Sequence, residues 1–510
     1  MLLIILLGLF SCVKGPIDVN TQPMYDEPHR PQFHFTPAKG WMNDPNGMVY
    51  YEGEYHLFYQ HNPDSNVWGP MHWGHAVSKN LMNWEQLPIA LYPDSLGTIF
   101  SGSAVVDDNN TSGFGSADHP AMVAIFTYHL TEGEKGGRND FQNQGIAYSV
   151  DKGRTWKKYE GNPVIKNPGK RDFRDPKVFW HSSSSQWMLV MAVNDHVEFY
   201  GSKDLKQWTH LSDFGFIASA QGRGWECPDI FELNVSGSQE KKWVLLISIN
   251  PGAYNGGSGT QYFIGRFDGK EFQADAGGPQ WIDYGKDNYA GVTWNNVSDG
   301  RRLFLGWMSN WQYANMVPTY VWRSAMTIPR ELSLVRTTNG IRLASHPVGE
   351  LFTLAEGETK NLSDVMSPTD TLSNEISLPK IGSRVIIDIE RNSEQDSFEM
   401  ELSNLKGEKI LVGLEGESNQ FYVDRDHSGK IDFSRQFGGR HLGIRSANSK
   451  NISMTLLLDV SSVELFADEG TLVMTEIFFP TGPYDRLIVR SVKKGVTIKS
   501  VQLDALRSAW

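Results

Sequence analysis

The chain reads as an all-β protein of two domains, the first a propeller of about five blades. Short runs rich in Val, Ile, Tyr, Phe and Trp recur between clusters of Gly, Pro, Asn and Asp, and sustained 3.6-residue periodicity is scarce. Fifteen of the sixteen tryptophans lie between Trp41 and Trp322, which separates this part from a C-terminal part of different character. Within the tryptophan-rich part a polar turn ending in an aromatic residue recurs, the mark of a repeated supersecondary unit. A length of 510 residues is too great for one core. With 21% charged and 12% aromatic residues the chain is an ordered globular one, which excludes disorder as its main state. A formal charge of −12 argues against nucleic acid or an anionic membrane as partner, and two cysteines exclude a disulfide scaffold.

At the N-terminus, Leu2 to Phe10 is an apolar run if Gly8 is counted, followed by Ser11-Cys12-Val13-Lys14-Gly15. The run is too short to cross a bilayer and has the size of a signal-peptide core, although no Lys or Arg precedes it. Residues 1–15 are therefore expected to be cleaved on secretion, leaving Cys227 as the only thiol. No other run is long enough for a transmembrane helix. Asn109, Asn110, Asn234, Asn296, Asn361 and Asn451 each begin an Asn-x-Ser/Thr sequon that secretion would open to glycosylation.

Strands are expected at Met48–Gln60, as a hairpin about Glu52-Gly53, and at Met122–Tyr128, Trp187–Val193 and Trp243–Ile249. Ser78-Lys79-Asn80-Leu81-Met82-Asn83-Trp84 resembles Ser202-Lys203-Asp204-Leu205-Lys206-Gln207-Trp208. Ser149-Val150-Asp151 leading to Trp156 is a looser copy, and Arg266-Phe267-Asp268-Gly269 leading to Phe272 looser still. At about 60 residues per unit, residues 31–345 hold about five units, a size that suits four-stranded blades. The inner strands of such blades converge on one axial pocket. The junction is placed in Leu343–Glu358, where His346-Pro347-Val348-Gly349 interrupts the pattern. Residues 356–510 then form a second domain of alternating strands such as Ser383–Glu390, Ser397–Ser403 and Thr455–Phe466.

Three carboxylates sit in distinctive surroundings. Asp44 lies in Trp41-Met42-Asn43-Asp44-Pro45-Asn46-Gly47, where Asp-Pro followed by Asn-Gly is dense turn chemistry, and a hairpin turn is the ordinary explanation. Asp175, in Phe173-Arg174-Asp175-Pro176, stands beside an arginine that would keep it ionised, although a plain surface ion pair is the usual explanation of such a neighbour. Glu226, in Trp225-Glu226-Cys227-Pro228-Asp229, has apolar neighbours that would raise its pKa and suit it to donate a proton, although a strand-end glutamate reads the same.

In combination these segments resemble the β-fructofuranosidase family of glycoside hydrolases, which includes invertases, inulinases and levanases. Further segments that look like family motifs stand between them: Tyr59-Gln60-His61-Asn62-Pro63, Trp73-Gly74-His75, Phe100-Ser101-Gly102-Ser103 and Asp287-Asn288-Tyr289-Ala290. The resemblance runs from about Phe33 to Leu332 and more weakly to the C-terminus. It implies a five-bladed β-propeller followed by a C-terminal β-sandwich, in agreement with the independent blade count.

The resemblance also implies roles: Asp44 as nucleophile, Glu226 as acid/base and Asp175 as transition-state stabiliser. A retaining glycosidase needs one ionised and one protonated carboxyl group about 5–5.5 Å apart. Asp44, in a polar turn rich in backbone donors, is expected to stay charged, and Glu226, between Trp225 and Cys227, to stay protonated. Matched positions suggest Asn43, Gln60, Ser101 and Arg174 as polar contacts to fructose, with Trp68, Phe100 and Trp307 as apolar walls; Trp311 competes with Trp307.

The expected protein is thus a secreted retaining β-fructofuranosidase acting on sucrose and on raffinose or short fructans. A fructan exohydrolase, a fructosyltransferase and a non-catalytic fructan-binding protein are the alternatives. No cofactor and no metal site is expected. His72-Trp73-Gly74-His75 lacks the helical His-Glu-x-x-His pattern, and Asp424-Arg425-Asp426-His427-Ser428-Gly429 lacks the glutamate that closes a calcium loop. The expected partner is a small sugar, not nucleic acid or a membrane, and the oligomeric state is not legible.

Overall fold

A computed structural model describes residues 25–116, 118–215, 224–361, 375–491 and 495–510. The expected signal segment, with Cys12, lies outside the described residues.

The N-terminal part of the molecule, from Gly40 to Pro347, is a five-bladed propeller. Blade one holds β1 (Gly40–Tyr51), β2 (Glu54–Asn62), β3 (His72–Ser78) and β4 (Glu85–Leu91). Blade two holds β5 (Thr98–Asp107), β6 (Ala121–His129), β7 (Gln142–Ser149) and β8 (Lys157–Lys158). Blade three holds β9 (Phe173–His181), β10 (Gln186–Val193), β11 (His196–Ser202) and β12 (Thr209–Phe214). Blade four holds β13 (Trp225–Asn234), β14 (Lys241–Ile249), β15 (Gly259–Phe267) and β16 (Phe272–Ala274), with β17 (Gln280–Trp281) also on β15. Blade five is built on β18 (Tyr289–Thr293) and β19 (Arg302–Met308). The short β20 (Trp322–Arg323) crosses back to pair in parallel with β1, which closes the ring, and β21 (Ala325–Met326) caps β19. The outer strands of blade five are β22 (Arg330–Thr337) and β23 (Gly340–Pro347).

Local sequence explains these elements. The β1–β2 hairpin turns at Glu52 and Gly53, both with positive φ (44° and 87°), as a two-residue turn matched to strand twist requires. The recurring polar turn joins the third and fourth strands of four blades. Asn80, Asp204 and Asp268 each accept two backbone N–H groups through Oδ1, and Asp151 accepts that of Thr155. The indole N–H of Trp84, Trp156 and Trp208 then donates to the backbone carbonyl three residues earlier, which folds the ring over the turn. In blade five the corresponding turn, Thr337–Gly340, lacks the aromatic residue.

Beyond β23 a 3-10 turn at Gly349–Leu354 leads into the sandwich. Its two six-stranded antiparallel sheets enclose an aliphatic core that includes Val385, Ile387, Met400, Val412, Leu456 and Leu465. The stretch expected as one alternating strand at Thr455–Phe466 is instead a hairpin of Asn451–Asp459 and Ser462–Ala467, because Val460-Ser461 supplies a tight turn. Fully buried ion networks tie sandwich to propeller. Arg330 of β22 pairs with Asp283 and Glu464, His34 bridges Asp459 and Glu464, and Arg425 pairs with Asp287 and Glu476. Buried charges persist only when paired in this way, so the networks hold the two domains in one arrangement.

Candidate active site

The innermost strands β1, β5, β9, β13 and β18 surround the propeller axis. Each one slips register against its neighbour near the start: between Met42 and Pro45, Ile99 and Gly102, Arg174 and Lys177, Glu226 and Asp229, and Tyr289 and Val292. Such bulges re-aim side chains out of strict alternation. Three of them carry a non-glycine residue in the left-handed region: Asp175 (φ 65°), Cys227 (φ 45°) and Ala290 (φ 54°), a strain that the surrounding sheet must hold. One polar residue from each blade thereby reaches the same station: Asp44, Ser101, Asp175, Glu226 and Tyr289.

Their contacts form one network. Ser101 Oγ donates to Asp44 Oδ2 at 2.7 Å, and Asn43 Nδ2 to Asp44 Oδ1 at 2.9 Å, Asn43 being held by the Trp41 indole N–H at 2.7 Å. The Cys227 Sγ lies 3.4 Å from Asp44 Oδ2 and 3.6 Å from Asp175 Oδ2, so its one hydrogen serves either carboxylate. The Cys227 backbone N–H donates to Asp175 Oδ2 at 3.1 Å. Arg174 donates to Glu226 Oε1 at 3.0 Å and to Asp172 Oδ1 at 2.6 Å, and its Nε is 3.9 Å from Asp175 Oδ2. The Tyr289 hydroxyl donates to Glu226 Oε2.

Three carboxylates share one guanidinium in this site, and the electrostatics follow. Burial raises the pKa of Asp44; the Ser101 hydrogen bond opposes that shift and the neighbouring Glu226 charge adds to it. Burial pushes Asp175 up to about 7 against the pull of Arg174, with Glu226 and Asp44 reinforcing the rise. Burial and the same carboxylates hold the Cys227 thiol well above its ordinary value. The Arg174 guanidinium stays charged, because Glu226, Asp175 and Asp172 overcome the cost of its burial.

Several expectations need correction. Asp44 does not sit in a turn with backbone donors; it is a bulged residue of β1 whose carboxylate is served by side chains. Arg174 does not keep Asp175 in the ordinary carboxylate range, since desolvation outweighs it. Trp225 and Cys227 do not surround the Glu226 carboxylate, which faces Arg174 and Tyr289. Trp307 is fully buried among Trp41, Trp311 and Tyr289 and walls no open surface; Trp311 is the partly exposed ring. Gln60 is buried and spends both amide hydrogens on Asn46 Oδ1 and the Ile99 carbonyl. Trp68, 44% exposed, stands edge-on to Phe100 at 6.2 Å, so these two are placed together at the rim. Tyr289 and Asp172 were not singled out as functional. Tyr289 lies in a segment already recognised as a motif, whereas no sequence signal marks Asp172. His75 meets His56 at 3.1 Å inside blade one.

One layer below, the axis is plugged. Lys177 Nζ donates to Asp229 Oδ2 (2.9 Å) and the Thr293 carbonyl (2.6 Å), and Asn295 Nδ2 to the carbonyls of Ala104 and Val178. The site is therefore a closed-end pocket on one face of the propeller.

Residues 34–347 match the glycosyl hydrolases family 32 N-terminal domain, and residues 350–505 match the glycosyl hydrolases family 32 C-terminal domain. The levanase of Bacillus subtilis (strain 168) is 46% identical over 516 residues, covering 99% of this chain and 74% of that protein. The extracellular exo-inulinase of Aspergillus niger is 38% identical over 519 residues, covering 95% of this chain and 96% of that one. Among solved structures, the exo-inulinase from Aspergillus awamori aligns with a TM-score of 0.85 at 34% identity, covering 95% of this chain and 100% of that chain. The β-fructofuranosidase from Schwanniomyces occidentalis complexed with fructosyl-erythritol aligns with a TM-score of 0.84 at 33% identity, covering 95% and 99%.

Proposed function

The chain is a glycoside hydrolase belonging to family 32, and we propose that it is a secreted, retaining, exo-acting fructan hydrolase that releases terminal β-fructofuranosyl units from levan- or inulin-type chains and from sucrose. The observation that carries this reading is the convergence of Asp44, Asp175 and Glu226 in one closed-end pocket. The plug of Lys177, Asp229 and Asn295 supports attack on chain ends, because a polymer cannot thread the axis. The preference for fructans over sucrose is supported by relatives named levanase and exo-inulinase along nearly the whole chain. Secretion is supported by relatives named extracellular; among the described residues no helix is long and apolar enough to cross a membrane.

In the first half-reaction Asp44 attacks C2 of the terminal fructosyl unit. The C2–O bond breaks with its electron pair, and the departing oxygen takes the proton of Glu226, leaving a fructosyl ester on Asp44. In the second, Glu226 takes a proton from water, whose oxygen displaces Asp44 from C2 and restores both carboxyl groups. Arg174 and Tyr289 fix the position of the Glu226 carboxylate through both steps. Asp175, near pKa 7, gains from ionising as positive charge develops on the sugar ring, so its contact with a ring hydroxyl strengthens in the transition state. Purified protein incubated with levan, inulin, raffinose and sucrose should release fructose alone from the polymers. Internal oligosaccharides as first products would refute exo action, and activity on sucrose only would refute the fructan reading.

A further inference from the structure

The far end of the propeller axis opens into a second cavity of about 590 Å³, a size that holds one or two sugar rings. It is lined at the ends of β5, β9, β13 and β18 that point away from the active site, and the axial plug separates the two. At its floor Asn295 is only 7% exposed. Its Nδ2 is pinned by the carbonyls of Ala104 and Val178, while its Oδ1 has no hydrogen-bond partner among the described residues. The half-buried Arg302 places its guanidinium carbon over the Phe231 ring, 5.0 Å from the ring centre. Among the described residues its hydrogen bonds are two long ones through Nη1, at 3.5 and 3.4 Å, so the rest of the guanidinium edge is unspent. Asp108 adds an acceptor without a hydrogen-bond partner among the described residues, and Phe179, Trp180 and Trp243 add partly exposed aromatic walls.

An unspent amide oxygen, an unspent guanidinium edge, a carboxylate and exposed ring faces serve a neutral polyhydroxylated ligand, whose hydroxyls pair with the polar groups and whose C–H face lies on the rings. The carboxylates of Asp108, Glu232 and Asp268 at the same cavity outnumber Arg302, which disfavours an anion. We propose that this distal cavity is a second carbohydrate site, taking a hexosyl unit that is not hydrolysed. The unit has two sources: a fructan chain, a choice that rests on the hydrolase reading above, or a glycan carried on Asn109 or Asn296, whose sequons line the same cavity. A fructan held there raises the local concentration of chain ends at the active site.

The test uses the full chain made in a host without N-glycosylation, with Trp180→Ala and Arg302→Met as separate variants, each checked for an unchanged melting temperature. With levan, KM should rise about three- to tenfold at unchanged kcat, while kcat/KM on sucrose stays the same. In an Asp44→Ala background, titration with a fructo-oligosaccharide should show two binding sites, and one when Trp180→Ala is added. A single site in the Asp44→Ala protein, or an unaltered KM for levan in both variants, would overturn the proposal. Protein from a glycosylating host that shows the distal site only after enzymatic removal of its glycans would assign the cavity to the glycan. If the wild type hydrolyses neither levan nor sucrose, the hydrolase reading fails while the titration still reports on the cavity.

Discussion

Ser101→Ala should make Asp44 harder to ionise and move the acid limb of the kcat/KM profile upward in pH. The Ser101 hydroxyl is buried and donates to Asp44 Oδ2 at 2.7 Å, opposing the burial that already raises the Asp44 pKa. What remains after its loss is the Asn43 amide at 2.9 Å on the other oxygen and the weak Cys227 thiol at 3.4 Å. A hydrogen bond to a charged group contributes about 1.5–3 kcal/mol, and the half-buried Asp44 carboxylate recovers only part of that from water. Below the acid limb the rate is proportional to the ionised fraction of Asp44, so the whole difference appears as a loss of roughly 10- to 150-fold in kcat/KM. On the plateau Asp44 is ionised in both proteins, and the loss should shrink to about threefold or less. The assay is fructose release from sucrose across the acid range, with circular dichroism to confirm the fold. A loss that is the same at every pH, or an acid limb that moves down, would refute the assignment of Ser101 as the group that favours the Asp44 anion.

Further outcomes follow from the same geometry. Asp44→Ala should reduce turnover by several orders of magnitude on every substrate, whereas Glu226→Ala should spare an activated aryl fructoside relative to sucrose; equal losses on both would argue against Glu226 as the acid. Cys227, which touches both aspartates from a fully buried position with a raised pKa, should resist alkylating reagents yet bind mercury(II) with loss of activity. Cys227→Ser should remain active and become insensitive to mercury, and full activity after demonstrated mercury labelling would place the thiol outside the site. At the domain interface, burial acts to lower the His34 pKa, but its hydrogen bonds to Asp459 and Glu464 outweigh this and raise it to about 9. A folded value above the unfolded one stabilises at low pH: on the order of 3 kcal/mol is present below about pH 6.5 and is lost as pH rises through 9. The melting temperature of the wild type relative to His34→Gln should therefore be highest below pH 6.5 and converge toward pH 9; a difference constant over that range would exclude a charged His34.

Much of this protein is legible in its sequence because the relevant physics is local. The Glu52-Gly53 turn, the aspartate and asparagine turns before Trp84, Trp156 and Trp208, and the scarcity of helical periodicity are properties of a few consecutive residues, and each has its expected place in the fold. The three carboxylates were also legible, as members of short motifs. Their environments were not. The alternation of a strand predicts where a side chain points until a bulge displaces it, and all five inner strands bulge at the site. Asp175 stands next to Arg174 in sequence, yet that guanidinium is closer to Glu226, 52 residues on, and burial among Asp44 and Glu226 sets the protonation of Asp175. Trp307 reads as a sugar platform until the neighbouring rings enclose it. Residue type and spacing determined which groups are available to the chemistry; desolvation and charge are summed over neighbours from different blades, and only the closed ring brings those neighbours together.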